Sequence, residues 1–99
     1  MKVYILEQSA DPKKKWTAIR LNPSMKRISF GATGYDDFTM HRDTNRKKAY
    51  LTRHKSTENW NDPDTAGFWS RWLLWNKPTI DASIRDIEKR FDIKVAKAY

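Results

Sequence analysis

The stretch HRDTNRKKAYLTRH, residues 41–54, concentrates the residue types of this chain that could do chemistry. It places five cationic side chains and both histidines around one tyrosine and one leucine. Guanidinium and ammonium groups suit phosphate binding, whereas imidazole suits metal binding or proton transfer. The stretch therefore has three interpretations: a nucleic-acid-binding face, a metal or acid/base site, and the solvated side of a helix.

Phosphate binding is the interpretation that the spacing favours. The run from Asp43 to about Thr57 has no Gly or Pro and can be capped by Asp43 or Thr44, which predicts a helix. If Leu51 and part of Tyr50 face the core, the cations cover a broad outer arc that could follow a phosphate backbone. The predicted phosphate contacts are Arg42, Arg46, Lys47, Lys48, Arg53 and Lys55.

A second basic segment, KKKW, lies at a predicted turn before a strand. Lys13, Lys14 and Lys15 could add phosphate contacts there, and Trp16 could stack on an unpaired base. Trp16 also begins an alternating segment, and this favours packing of its ring in the core. We therefore expect the three lysines to be auxiliary phosphate contacts.

The metal interpretation rests on two histidines and nearby carboxylates. His54 and Glu58 are four residues apart on the predicted helix, and His41 and Asp43 come just before it. Such groups could form a zinc or magnesium site, as in a metal-dependent nuclease. Their spacing matches no established metal signature, and a histidine beside an apolar helix face usually packs or hydrogen-bonds. We expect no catalytic residue, no metal and no cofactor.

The segment TAGFWSRWLLW predicts a short helix, capped by Asp64 or Thr65, that is apolar nearly all round and therefore buried. Its tryptophans, with Trp60, are expected to pack in the core. Five tryptophans can exceed what one small core hides, so exposed rings could support a homodimer or a contact with another protein. Arg71 within this helix needs a partner, either a carboxylate such as Asp86 or Glu58, or a phosphate.

Composition limits the classes of protein to consider. The formal net charge is +8, and residues 1–60 hold 13 cationic and six anionic side chains, against seven and six in residues 61–99. The excess attracts polyanions and lies in the first part of the chain. The absence of cysteine excludes disulfides, thiol catalysis and zinc fingers. Without a signal-like segment or a long apolar run, we expect neither secretion nor a membrane partner.

The remaining elements follow from periodicity. Strands are predicted in VYILE, KWTAIRL and KRISFGA, where Ile28 and Phe30 share one face, and a final edge strand in IKVAKAY. A helix begins at a Thr79 cap, with Ile80, Ile84, Ile87 and Phe91 along one stripe. On its solvated side, Asp81 with Arg85 and Asp86 with Arg90 are predicted i, i+4 ion pairs. We predict one α+β domain over residues 1–99, mainly strands in 1–31 and mainly helices in 43–91. A small antiparallel sheet of three to four strands is packed by about three helices.

The segments KRISFGATGYDDFTMHRD, RKKAYLTRH, ENW, TAGFWSRWLLWNKPT and SIRDIEKRF carry a family likeness. Over about residues 26–91 the chain resembles a domain of unknown function found in short basic proteins of large double-stranded DNA viruses of eukaryotes, including giant and algal viruses. The resemblance implies a location in the virion and the infected cell, in the nucleus or a cytoplasmic virus factory. It implies a role around a DNA genome and supplies no catalytic residues.

The residues and the resemblance together predict a protein that binds double-stranded DNA through phosphates with low sequence specificity, in genome packaging or replication. One alternative is a minor structural virion protein that contacts a capsid or core protein. A second alternative is a metal-dependent nuclease.

Overall fold

The computed structural model describes all of residues 1–99 and shows an α+β fold with four strands and four helices. The strands are β1 (Val3–Gln8), β2 (Lys14–Arg20), β3 (Lys26–Ala32) and β4 (Lys94–Lys97). The helices are α1 (Phe38–His41), α2 (Thr44–His54), α3 (Ala66–Trp69) and α4 (Ile80–Phe91), and a π-helical segment, Ser70–Leu74, continues α3. The predicted fold class and the final strand are confirmed.

The strands lie in the order β3-β2-β1-β4. The first three pair antiparallel, with Leu6 opposite Ala18 and Ala18 opposite Ile28. Strand β4 pairs parallel to β1, because α4 carries the chain back along the sheet and Asp92, with a positive φ of 52°, turns it into β4. The sheet is therefore mixed at this edge, whereas the sequence predicts antiparallel pairing throughout.

One face of the sheet carries the core. Tyr4, Leu6, Ala18, Ile28 and Phe30 are buried on that face, because residues two apart along a strand point the same way. The buried side chains that pack against them come from α3, the π-helical segment and α4: Phe68, Trp69, Leu73, Leu74, Ile84 and Ile87. The alternating strand residues and the apolar stripe of α4, both predicted from the sequence, therefore pack in one core.

Side chains cap the helices where the sequence predicts them. The Asp43 carboxylate accepts from the backbone at the start of α2, Thr65 does so for α3, and Thr79 for α4. Helix α1, which the sequence pattern does not predict, begins at an Asp37 cap. No helix combines the length and the apolar character that a membrane crossing needs.

The ion pairs of α4 match the prediction in part. Asp86 pairs with Arg90 at 3.2 Å, four residues along the helix, as predicted. Asp81 pairs with Lys97 of β4 at 2.8 Å rather than with Arg85. This pair ties β4 to α4, so a charge expected on the solvated side of the helix joins two elements.

Candidate functional site

An open cleft of about 670 Å³ separates α2 from the ends of β2 and β3. Helix α2 forms one wall with residues three and four apart, which share a helix face: Arg46, Ala49, Tyr50, Arg53 and His54. The opposite wall comes from the strands and their following turn: Lys14, Lys15, Phe30, Gly31, Ala32 and Tyr35. The cleft therefore brings together the two basic segments that the sequence shows separately.

Tyr50 fixes α2 against the core. Its side chain is buried, and its ring stacks on Trp75 with centroids 4.4 Å apart and planes within 4°. The other contact is with the His54 ring at 4.3 Å. Burial and the nearby Glu58 charge raise the pKa of the Tyr50 hydroxyl, so this hydroxyl stays protonated at neutral pH. The prediction that Tyr50 faces inward is confirmed.

His54 and Glu58 form a pair at one end of the cleft. The Nδ1 atom of His54 lies 2.5 Å from Oε1 of Glu58, and Trp60 Nε1 donates to Oε2 at 3.4 Å. A carboxylate on Nδ1 means that this nitrogen carries the ring proton. A Cβ on Gly67 would collide with Oε2 of Glu58, so the glycine gives the carboxylate its space. His54 is a packing and hydrogen-bonding residue, as predicted.

His41 lies apart from this pair. Its ring contacts Trp75 at 5.3 Å, while His54 contacts Tyr50, so the Trp75 and Tyr50 rings stand between the two imidazoles. The backbone N–H of Asp43 donates to Nδ1 of His41 at 2.9 Å, which places the ring proton on the buried, unpartnered Nε2. No group of three His, Asp or Glu side chains could hold a metal ion. The residues of the metal interpretation do not converge.

Lys15 is bound inside the molecule. Its Nζ donates to the Asp37 carboxylate at 2.8 Å and to the Tyr35 carbonyl, and its side chain is only 19% exposed. Asp37 is buried and also caps α1 by accepting from the Thr39 backbone. Lys15 therefore holds the turn after β3, and the phosphate contact predicted for it would break this ion pair.

Lys47 also has an internal partner. Its Nζ donates to the Asn76 carbonyl at 2.7 Å and lies 5.0 Å from the centroid of the Phe38 ring. Burial, followed by the charges of Arg71 and Lys77, lowers the pKa of Lys47. This side chain points away from the outer arc predicted for it, because it closes α2 onto the loop before α4. Arg42 remains exposed, although its Nε donates to the Pro78 carbonyl at 3.1 Å.

The other predicted phosphate contacts are exposed: Lys13, Lys14, Arg46, Lys48, Arg53 and Lys55. Five of them lie in no ion pair, and Arg46 approaches Asp36 only at 3.9 Å, with both side chains more than half exposed. Such a pair contributes little stability. Within the cleft, Arg46 and Arg53 stand about 10 Å apart along α2, on the wall opposite Lys14.

Arg71 has neither of the carboxylate partners predicted for it. Its guanidinium lies 4.1 Å from the centroid of Trp72 and 5.5 Å from that of Trp60, and Nη1 donates to the Trp75 carbonyl at 2.9 Å. Its Nε is buried without a partner. Burial and the nearby Arg90 charge lower the pKa of Arg71. Stacking on two indoles replaces the expected ion pair.

Four of the five tryptophans pack in or against the core, as predicted, whereas Trp60 does not belong to the core cluster. Trp69 is fully buried, and the other four rings are half-buried. Trp16 contacts Tyr99 edge-on at 4.9 Å and packs against the core from β2. None of the five is exposed, so no tryptophan offers the exposed ring that a contact through tryptophan was expected to use.

Comparison with known proteins gives a family and no function. No curated protein sequence and no solved structure matches the chain. A model described as a family of unknown function, DUF5754, matches residues 4–54, just over half of the 99 residues. The matched segment runs from β1 to the end of α2 and includes both walls of the cleft that carry Lys14, Arg46 and Arg53. The chain therefore belongs to this family of unknown function.

Proposed function

We propose that this protein binds nucleic acid, namely double-stranded DNA, through phosphate contacts with low sequence specificity. The observation that supports the proposal is the position of Arg46 and Arg53 opposite Lys14, on the two walls of one cleft. These three cations are exposed; Lys14 and Arg53 lie in no ion pair, and Arg46 meets only the exposed Asp36 at 3.9 Å. They can therefore exchange water and counterions for phosphate oxygens.

Three further exposed cations could extend this surface. Lys13 directly precedes β2, and Lys48 and Lys55 lie on α2 and at its end, on the side of the helix that faces away from the cleft. If DNA contacts these three as well as Lys14, Arg46 and Arg53, the logarithm of the affinity falls with the logarithm of the salt concentration at a slope of roughly −5. Long cationic side chains on phosphates position a protein without reading bases, which is the reason for low sequence specificity.

The biological setting rests on the resemblance to a domain of large double-stranded DNA viruses. It supports duplex DNA as the polyanion and a role in genome packaging or replication. In that setting the protein acts in the virion or the infected cell. The charge distribution agrees with this role, because the cationic excess of residues 1–60 includes every cation at the cleft.

Fluorescence anisotropy of a labelled blunt 20-base-pair duplex, titrated at several KCl concentrations, tests the proposal. We expect tight binding at low salt and a steep loss as salt rises. The double variant Arg46→Ala, Arg53→Ala should lower the salt slope by about two. The matched control is Arg85→Ala, Lys89→Ala, which removes two exposed cations of α4 outside the cleft and should leave the slope nearly unchanged.

Equal slopes for the two double variants would move the contact surface away from the cleft. Oligomers that persist at high salt in size-exclusion chromatography, without any binding of duplex, would favour the minor structural virion protein instead. Incubation of the same duplex with Mg²⁺, Mn²⁺ or Zn²⁺ tests the nuclease alternative, for which cleavage lost in His54→Ala would be the evidence. We expect the DNA to stay intact.

A further inference from the structure

An aromatic ring without a structural role stands at the rim of the cleft. Tyr35 is 73% exposed, the most exposed aromatic side chain of the chain, and it lines the cleft. Its ring packs on no other aromatic ring, in contrast to Tyr99, which contacts Trp16. An aromatic ring left in water does not contribute the stabilisation that its burial would provide. The ring is therefore accessible to a ligand that enters the cleft.

The backbone that presents Tyr35 is held from both sides. The Lys15 ammonium donates to the Tyr35 carbonyl and is itself fixed by Asp37. The Tyr35 N–H donates to the Ala32 carbonyl at 3.4 Å, and Gly34 supplies the positive φ of 90° that the turn requires. The ring thus projects from a fixed turn, and little order has to be gained when a ligand stacks on it.

The groups beside Tyr35 suit a nucleotide. Lys14, Arg46 and Arg53 line the same cleft. Of the three cleft carboxylates, Asp37 is paired with Lys15, Glu58 is hydrogen-bonded to His54, and the exposed Asp36 approaches Arg46 only at 3.9 Å. An aromatic platform next to cations is the arrangement that binds unpaired nucleotides, because every base has a face that can stack and every phosphate a charge. The volume of about 670 Å³ lies within the range of small-ligand sites.

Bases inside a duplex cannot use this ring. Their faces are covered by neighbouring base pairs, and only edges and phosphates are open to a protein. An unpaired base at an overhang or a gap has a free face, and so can lie on Tyr35 while its phosphate meets Lys14 or Arg46.

We propose that the cleft binds an unpaired nucleotide of a DNA strand, with the base stacked on Tyr35 and the phosphate held by Lys14 and Arg46. This inference rests on the proposed function and adds that DNA with a single-stranded end or gap is the preferred ligand. The exposed α2 cations then hold the adjoining duplex.

The test compares a blunt 20-base-pair duplex with the same duplex carrying a four-nucleotide 3′ or 5′ overhang, using the full chain. We expect at least one overhang to bind about tenfold more tightly than the blunt duplex. Tyr35→Ala should remove this gain without changing affinity for the blunt duplex, and Tyr35→Trp should keep it. Tyr99→Ala, which alters the other exposed tyrosine, is the matched control and should keep the gain.

A 2-aminopurine base in the overhang reports stacking directly. Its fluorescence should be quenched by the native protein and by Tyr35→Trp, and should not be quenched by Tyr35→Ala. Because the ring is exposed, the melting temperature of Tyr35→Ala should match that of the native chain, which separates loss of stacking from loss of fold.

The outcomes separate this inference from the proposed function. Equal affinity for blunt and overhang DNA, or a gain that survives in Tyr35→Ala, overturns the inference while duplex binding stands. Absence of binding to both DNAs at low salt overturns both proposals.

Discussion

The ion-paired cations of β2 and the exposed cations of the cleft have opposite surroundings. At the start of the strand Lys15 pairs with Asp37 at 2.8 Å, and at its end Arg20 pairs with Asp64 at 2.5 Å, with all four side chains less than 20% exposed. At the cleft, Lys14 is the direct neighbour of Lys15 in the sequence, yet it is exposed and lies in no ion pair. A basic run is therefore not a binding face in itself, because acceptors that arrive from elsewhere in the chain decide which cations are free.

The difference follows from the acceptors within reach of each side chain. Lys15 reaches the Asp37 carboxylate and the Tyr35 carbonyl, whereas Lys14, which lines the same cleft, lies in no ion pair. On α2 the same division separates Arg46 from Lys47, since neighbouring helical residues point about 100° apart and only Lys47 reaches the Asn76 carbonyl. Internal ion pairs stabilise the fold, and the unpaired cations remain available for an external anion.

The largest expected effect comes from breaking the pair at the start of β2. Lys15→Met should lower the free energy of unfolding by about 3 kcal/mol, because it leaves the Asp37 carboxylate without its cation. Lys14→Met, the matched control one residue earlier, should change it by less than about 0.5 kcal/mol. Urea unfolding followed by circular dichroism measures both values.

A double-mutant cycle assigns that cost to the pair. In an Asp37→Asn background, Lys15→Met should cost about 1 kcal/mol, since no carboxylate is left uncompensated. The same cost in both backgrounds would mean that the Lys15 stem, rather than its charge, holds the turn.

The pair at the end of β2 should give a smaller effect that depends on pH. Burial alone would raise the pKa of Asp64, but the hydrogen bond from Tyr4 and the charges of Arg20 and Lys2 lower it overall, below its ordinary value of 3.8. A lowered pKa in the folded state stabilises the protein above the unfolded pKa, and this contribution is lost as pH falls through the folded value. Asp64→Asn should therefore cost about 2 kcal/mol at pH 7.

Urea unfolding of the native chain and of Asp64→Asn from pH 7 to pH 2 checks this sign. The difference between the two should stay constant above about pH 5 and shrink below about pH 4. Asp86→Asn is a useful comparison, because hydrogen bonds from Asn76 and Arg90 outweigh burial and lower the pKa of Asp86 as well. A difference that grows as the pH falls would contradict the proposed ion pair.

The sequence predicts what is local and misses what depends on a distant acceptor. Alternation in β3 and the Asp43 cap of α2 depend on spacing alone, and both are confirmed. The partner of Lys15 is 22 residues away, and that of Lys47 is a backbone carbonyl 29 residues away, which no periodicity reveals. The parallel entry of β4 likewise depends on the path of α4 over the sheet.

The exposure of Tyr35, in contrast, is indicated by its neighbours in the sequence. It follows Gly34 in a turn and precedes two aspartates, and its neighbours at strand spacing, Thr33 and Asp37, are polar. An aromatic residue in such surroundings has no core face to join and is expected to be exposed. Its position at the cleft could not be predicted, because the opposite wall is formed by α2.

The smallest expected effect concerns Gly67 of α3, which lies against the Glu58 carboxylate at the cleft. Gly67→Ala should cost up to about 1 kcal/mol in the native chain, because the new Cβ displaces Glu58 from His54. In a Glu58→Ala background the same substitution should stabilise by about 0.5 to 1 kcal/mol, as alanine is the better helix former. Urea unfolding of the four chains measures this change of sign, and a loss in both backgrounds would show that Gly67 is required by the backbone rather than by the Glu58 carboxylate.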